Sequence, residues 1–322
     1  MTFKNISIIA VLISSVLFTQ CKKDKTEDPT PTPTPTTPTT SAAPATITQL
    51  FAQSGVQAVS GTASMAISQT VTLSGVKINI PSSAFITASG AAVTGTVDLS
   101  VKGIFTKSDI ILTGAPANAA GKLISTKGCI KVSASQNSQT LRVNPGANVV
   151  VNVPEPGTTP VTNLKKYYAQ QISVTDTSKI WRAAADTASI AAVYDAVTSK
   201  YYYQARLDSV AWLNTGYEWD TVATKTTVNA SLDTSYTSTN CTVYLSLNGK
   251  MVVGAMYPQG PGFFSISNIP IGINVNFVVI AVKNGTYYSV VTPATISNNH
   301  TQGLTPQSTT LSNIQAALLL LP

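Results

Sequence analysis

The chain has 322 residues, room for two ordinary domains, and 43% of them are hydrophobic, enough to build substantial cores. Only 10% are charged, against about 25% in a typical globular protein, so the polar surface is drawn mostly from Ser, Thr, Asn and Gln, a composition that suits extracellular β-sandwiches. One histidine, His300, and three cysteines far apart at 21, 129 and 241 leave a histidine-based triad, a multi-histidine zinc site or a CxxC centre without building material. Nucleotide-loop signatures are absent from the sequence, and a net charge of +7 without any run of five basic residues weighs against nucleic acid as a partner.

Met1–Gln20 reads as a signal peptide. Lys4 supplies a positive n-region, and Ile6–Phe18 is an apolar stretch of thirteen residues, too short to span about 30 Å of hydrocarbon as a helix. Cys21 follows at once. An apolar stretch ending in cysteine resembles a bacterial lipobox, whose thiol is acylated and whose cysteine becomes the new N-terminus; an ordinary signal peptide with an incidental cysteine is the alternative. Lys22–Asp28 (KKDKTED) is a short charge run, and Cys21 with Lys22, Lys23 and Asp24 resembles the start of lipoproteins of the Bacteroidota type. Pro29–Thr40 (PTPTPTPTTPTT) has no apolar residue with which to build a core, so a disordered linker is expected. Alternating proline biases it to polyproline II, a semi-rigid spacer of about 35–40 Å. Lipid, charge tag and spacer imply an outer-membrane protein anchored in the bilayer through acylated Cys21, its orientation left open between periplasm and cell surface.

From about Ile47 the apolar period is expected to be two. Val71–Leu73, Val76–Ile80, Val93–Val101, Cys129–Ala134, Leu141–Val143 and Val149–Val153 alternate between Gly, Pro, Asn and Ser punctuation, the pattern of half-buried antiparallel strands. Ser108–Leu112 is the expected helical turn among them. These strands form a β-sandwich over residues 47–156, closed by Pro154-Glu155-Pro156-Gly157. Ile80-Pro81-Ser82-Ser83-Ala84-Phe85, Gly90–Val97, Gly128-Cys129-Ile130 and Val143-Asn144-Pro145-Gly146 resemble a ZU5-like β-sandwich over about a third of the chain. In animal proteins such domains are interaction modules, which implies binding rather than chemistry here.

Residues 157–235 form an aromatic-rich β segment, with strands expected at Tyr167–Val174, Lys179–Ala183 and Tyr201–Leu207. Ten of the 23 aromatic residues lie between 167 and 219, including every tryptophan: Trp181, Trp212 and Trp219. Such rings could stack on sugar faces as a glycan-binding platform, or they could fill cores, since each buries about 150–250 Å². Glu218 and Asp220 flank Trp219 and would share one face of a strand, the local candidate for a carboxylate-dependent hydrolase.

Residues 236–322 form a C-terminal β-sandwich. Asn248-Gly249 and Asn284-Gly285 are hairpin signals between apolar runs, and Leu311–Leu321 is expected to end the last sheet. Gly262 to Pro270, with Phe264, Ile266 and Ile269, resembles a stretch of transthyretin-like or carboxypeptidase-regulatory-like β-domains, mostly structural or adhesive modules. Cys129 and Cys241 fall in different modules, where buried thiols are the simpler expectation and a disulfide the alternative. The chain is therefore expected to be all-β, with two or more antiparallel sandwiches behind a signal peptide and the Thr/Pro linker. Its expected role is non-enzymatic binding or support, with a glycan or a surface protein as partner and neither cofactor nor metal.

Overall fold

Alternation builds the first sheet. In the computed structural model, Val97, Leu99 and Val101 of strand Thr96–Ile104 are buried while Thr96 and Asp98 stay exposed. The model describes residue 44 and residues 46–119, 121–155, 157–171, 179–185, 190–219 and 223–322. The expectations for the signal peptide, Cys21, the spacer and Asp220 lie outside these residues. Thr96–Ile104 pairs antiparallel with Val59–Ser64 on one side and with the long strand Lys122–Gln136 on the other, Val101 opposite Val132. The sheet continues through Trp212–Trp219, Lys165–Gln171 and Lys179–Ala183.

A second sheet runs in the order Ala191–Asp195, Lys200–Arg206, Val150–Pro154, Val76–Ile80, Gln69–Leu73. Val76, Ile78, Val151, Val153 and Tyr203 meet Val97, Leu99, Val101, Ile130 and Val132 in one core. Each such side chain contributes about 1.5–3 kcal/mol on burial, so a one-residue slip, which would turn a whole row to solvent, is strongly disfavoured. The two layers approach closely at Gly128, where a Cβ would lie 2.4 Å from the Val153 side chain. The segment 157–235 thus completes both layers of the first sandwich, and its last strand, Lys225–Ser231, joins the C-terminal sheet.

The C-terminal sheet runs Thr301–Gly303, Lys225–Ser231, Phe263–Pro270, Val253–Gly260, Cys241–Leu247, Asn274–Lys283, Thr286–Thr295, Gln307–Thr309. Its pairings are antiparallel except the first. At the Asn284-Gly285 turn both residues have positive φ, 49° and 74°, which a two-residue hairpin of this type requires. Strand Asn274–Lys283 is apolar almost throughout because both its faces are covered. Val275, Phe277, Val279 and Ala281 fill the core of the C-terminal sheet, and Val278, Ile280 and Val282 face a separate cluster shared with the first sandwich.

That shared cluster holds the helices. Ile47 and Leu50, Ile110 and Ile111, and Ile314 and Leu318 pack there with Ile124, Tyr167 and Trp181 of the first sheet and Tyr244, Val253 and Val278 of the C-terminal one. Two expectations are corrected here. The chain does not start on period two at Ile47: Ile47–Ser54 is a helix, because Thr46 and Gln49 form a reciprocal capping box, each side chain bonding the other's backbone N–H at 3.2 Å. Leu311–Leu321 does not end the sheet: Leu311–Leu319 is a helix, capped by the Thr310 hydroxyl on the Asn313 N–H and built from strong helix formers, with Ile314 and Leu318 one turn apart on the buried side. The expected turn at Ser108–Leu112 is the helix Lys107–Leu112. No helix among the described residues is long and apolar enough to cross a membrane, which says nothing of spans made from strands.

Hydrogen bonds stitch the two sandwiches together. The Asn118 amide donates to the Ala255 carbonyl at 3.0 Å and accepts from the Ala255 N–H at 2.8 Å. The Ala117 N–H donates to Val253 O at 2.8 Å, and the Thr126 N–H to Met251 O at 3.0 Å. The described residues belong to one compact unit, Ala43–Pro322.

Candidate functional site

The same alternation that drives Ile78, Val151 and Tyr203 inward sends their neighbours to the far face of the second sheet. Register sets Thr70 beside Asn79, Lys77 beside Asn152, and Asn152 beside Gln204. Together with Tyr194 and Asp195 they line a shallow groove of about 410 Å³. Its polar groups are partly pre-ordered. The Thr70 hydroxyl donates to Asn79 Oδ1 at 3.0 Å, and the Asn152 amide donates to the Lys77 carbonyl at 3.2 Å. The Lys77 ammonium bonds the Asp195 carboxylate and lies 4.6 Å above the Tyr202 ring. That bond from Lys77 is the main cause holding the Asp195 carboxyl down at about 2, and the Lys77 ammonium is raised in turn. Tyr202 is thus already capped by a cation. The exposed ring is Tyr194, packed on Tyr201 with centroids 5.1 Å apart. The groove offers neutral amides, hydroxyls and one aromatic face, a set that can hydrogen-bond and stack but carries no nucleophile activated by a base.

The three tryptophans do not share a platform. Trp181 is 0% exposed, and its indole N–H donates to Pro116 O at 2.7 Å in the cluster between the sandwiches. Trp212 is half-buried at the edge of the same cluster, with the Lys131 ammonium 5.9 Å from its ring. Trp219 packs against the core of the C-terminal sheet. Glu218 makes an ion pair with Lys122 at 2.5 Å. Cys129 and Cys241 are buried in different clusters and no disulfide joins them; burial pushes the Cys241 thiol up to about 12.

A buried carboxylate that no sequence motif marks fixes the end of the first sandwich. Glu155 accepts from the Tyr203 hydroxyl and from the Gly157 N–H at 2.8 Å, with the Lys127 ammonium 3.1 Å away. Tyr203 in turn accepts from the Val161 N–H at 2.8 Å. Lys127 reaches this site because it is the extra residue of a bulge: Thr215 opposes Gly128 and Gly216 opposes Thr126. Burial pushes the Glu155 carboxyl upward, but the bonds from Tyr203, Gly157 and Lys127 outweigh it and hold the group below its ordinary range. A saturated carboxylate of this kind ties Gly157 and, through Tyr203, Val161 to the sandwich and is poorly suited to proton transfer. Among the described residues no group of three His, Cys, Asp or Glu side chains is placed to hold a metal ion.

The far-face residues were hidden from sequence reasoning for a simple reason. They are the polar half of the alternating strands, and the periodic signal for a core lies in the apolar half. Which strands lie side by side, and hence which amides converge, follows only from the sheet order.

No protein-family model matches the chain, and no curated protein sequence matches it. Among solved structures, a γ-CGTase from alkalophilic Bacillus clarkii is similar at 12% identity with a TM-score of 0.19, covering 77% of this chain and 41% of the other. A likeness this slight carries no argument about fold or activity.

Proposed function

We propose that the chain is a lipid-anchored, non-enzymatic binding module of the bacterial outer membrane. The observation that supports this is the order of parts: an apolar stretch over 6–18, Cys21, a charge run, the Thr/Pro spacer, and a compact β unit beginning at Ala43. Each part has a physical task in that order. A single acyl chain holds a protein only marginally, so stable anchoring calls for more than one chain on Cys21. The Thr/Pro-rich composition of Pro29–Thr40, between Cys21 and that unit, suits a spacer, since it offers no apolar side chain for a core. In a Gram-negative host given labelled palmitate, the wild type is expected to take up label and sediment with membranes, while Cys21→Ala takes up none and appears in the soluble fraction. Equal labelling and sedimentation of the two would refute the anchor.

A second reading, a neutral glycan as ligand, is favoured by the far-face groove, where the exposed Tyr194 ring lies beside Thr70, Asn79, Asn152 and Gln204. On a glycan array, Tyr194→Ala should lose any signal the wild type gives, and Trp219→Ala should keep it. The reverse pattern would move the site to the tryptophan.

A further inference from the structure

The chain has three arginines, at 142, 182 and 206, and two of them line one cleft of about 460 Å³ at an end of the first sandwich. This volume lies within the usual range for small-ligand sites, about 300–1,000 Å³. The cleft is separate from the far-face groove, sharing none of its lining residues. Arg142 comes from the short strand Arg142–Val143 and Arg206 from the last position of Lys200–Arg206, so different parts of the chain bring the two arginines to the cleft.

The two arginines are in different states. Arg206 is held in place: its Nη2 donates to Pro145 O at 3.0 Å and its Nε lies 3.3 Å from Asp208 Oδ1. Arg142 is exposed and has no acceptor or anionic partner among the described residues. Asp208, the one carboxylate in the lining, is shared between Arg206 and a cation outside the lining. The buried Lys166 ammonium donates to its Oδ2 at 2.9 Å, and the Tyr168 hydroxyl lies 3.2 Å from the same oxygen. Asp208 thus answers both Arg206 and Lys166, and Arg142 is the guanidinium of the cleft left without an anionic partner among the described residues. Leu141, Val143, Leu207 and Val210 supply apolar wall beside it.

We infer that this cleft binds a small organic acid, its carboxylate on Arg142 and Arg206 and its carbon body against the apolar wall. The planar guanidinium fork matches a carboxylate in two-point contact, which a lysine cannot reproduce. The apolar wall of Leu141, Val143, Leu207 and Val210 suits a ligand with C–H surface better than a bare ion such as phosphate. The inference stands apart from the anchoring and neutral-glycan proposals: it needs neither acylation nor the Tyr194 face.

The test is calorimetric titration of the full chain in detergent micelles with D-glucuronate, D-glucose and inorganic phosphate. Glucuronate is expected to bind with saturation at one site and to weaken at least tenfold in 0.5 M salt; glucose should give no saturable heat, and phosphate should bind at least tenfold more weakly. Arg142→Gln removes a side chain that bonds nothing among the described residues, so its melting temperature should match wild type while its glucuronate affinity falls at least tenfold. Arg142→Lys, which keeps the charge and loses the fork, should also fall several-fold. Glucose binding as well as glucuronate, phosphate binding more tightly, no saturable glucuronate heat, or unchanged affinity in Arg142→Gln would each overturn the assignment.

Discussion

Lys107 shows how burial at one position sets a pH dependence for the whole chain. The residue is 8% exposed, and its ammonium donates to Leu247 O at 2.6 Å and to Pro322 O. Desolvation lowers it from 10.5 to about 8. Between those values the unfolded chain holds a proton the folded chain has released, so stability rises with pH across that window. Cys241 works against it from pH 9.0 upward, since burial raises its thiol to about 12 and the folded chain then keeps a proton the unfolded chain has lost. The unfolding free energy is therefore expected to climb between pH 8 and 9, by about 1 kcal/mol, raising the denaturant midpoint, and to level off above 9. In Lys107→Met most of the climb should be lost, with Lys102, which burial also lowers, keeping a remainder of the same sign. A wild-type midpoint flat from pH 7.5 to 9 would contradict the assignment. Tyr203→Phe tests a second buried group. It leaves Glu155 one donor short and the Val161 N–H without its acceptor, at an expected cost of about 1–3 kcal/mol in chemical denaturation. Little of this was legible beforehand. Pro154-Glu155-Pro156-Gly157 reads as a turn, and nothing local says that a tyrosine 48 positions on closes over the carboxylate.

At the scale of elements, strands whose faces differ were legible and the two terminal helices were not. Val76–Ile80 alternates and is bounded by Gly75 and Pro81, and the strand has those limits in the structure. Val93–Val101 also alternates, yet the strand is Thr96–Ile104, because Gly95 at φ 77° turns the chain first and pairing with Lys122–Gln136 carries it further. Leu311–Leu321 defeats periodicity: a short apolar run fits a buried strand and a helix equally well. The helix makes an asymmetric claim that a strand would not. Leu318 is 2% exposed and Leu320 83% exposed, although the two are two positions apart and would share a strand face. Leu318→Ala should cost about 2–5 kcal/mol in chemical denaturation and Leu320→Ala almost nothing. Similar losses from both would favour the strand.

At the scale of the whole molecule, what ties the two sandwiches together lies in contacts distant in sequence. Asn118 and Ala255 are 137 positions apart, and Lys107 reaches Leu247 across 140. No sequence pattern marks such pairs, so the modules could be read singly but their seam could not. The seam changes what each module is. The first sheet buries one face in its own sandwich and the other in the shared cluster, and strand Asn274–Lys283 does the same from the C-terminal side. Separating them would expose Tyr167 and Trp181 on one side and Val253, Val278 and Ile280 on the other, a loss of several kcal/mol on each. Neither sandwich can then melt without stripping cover from its neighbour. Calorimetry on the full chain in micelles should show one transition whose calorimetric and van't Hoff enthalpies agree. Val278→Ala, on the seam, should lower that transition as a unit, whether unfolding is followed by tryptophan fluorescence, which reports Trp181, Trp212 and Trp219, or by far-ultraviolet circular dichroism, which reports every strand. Two resolved transitions, with the mutation shifting only one, would mean that the shared cluster does not couple the sandwiches.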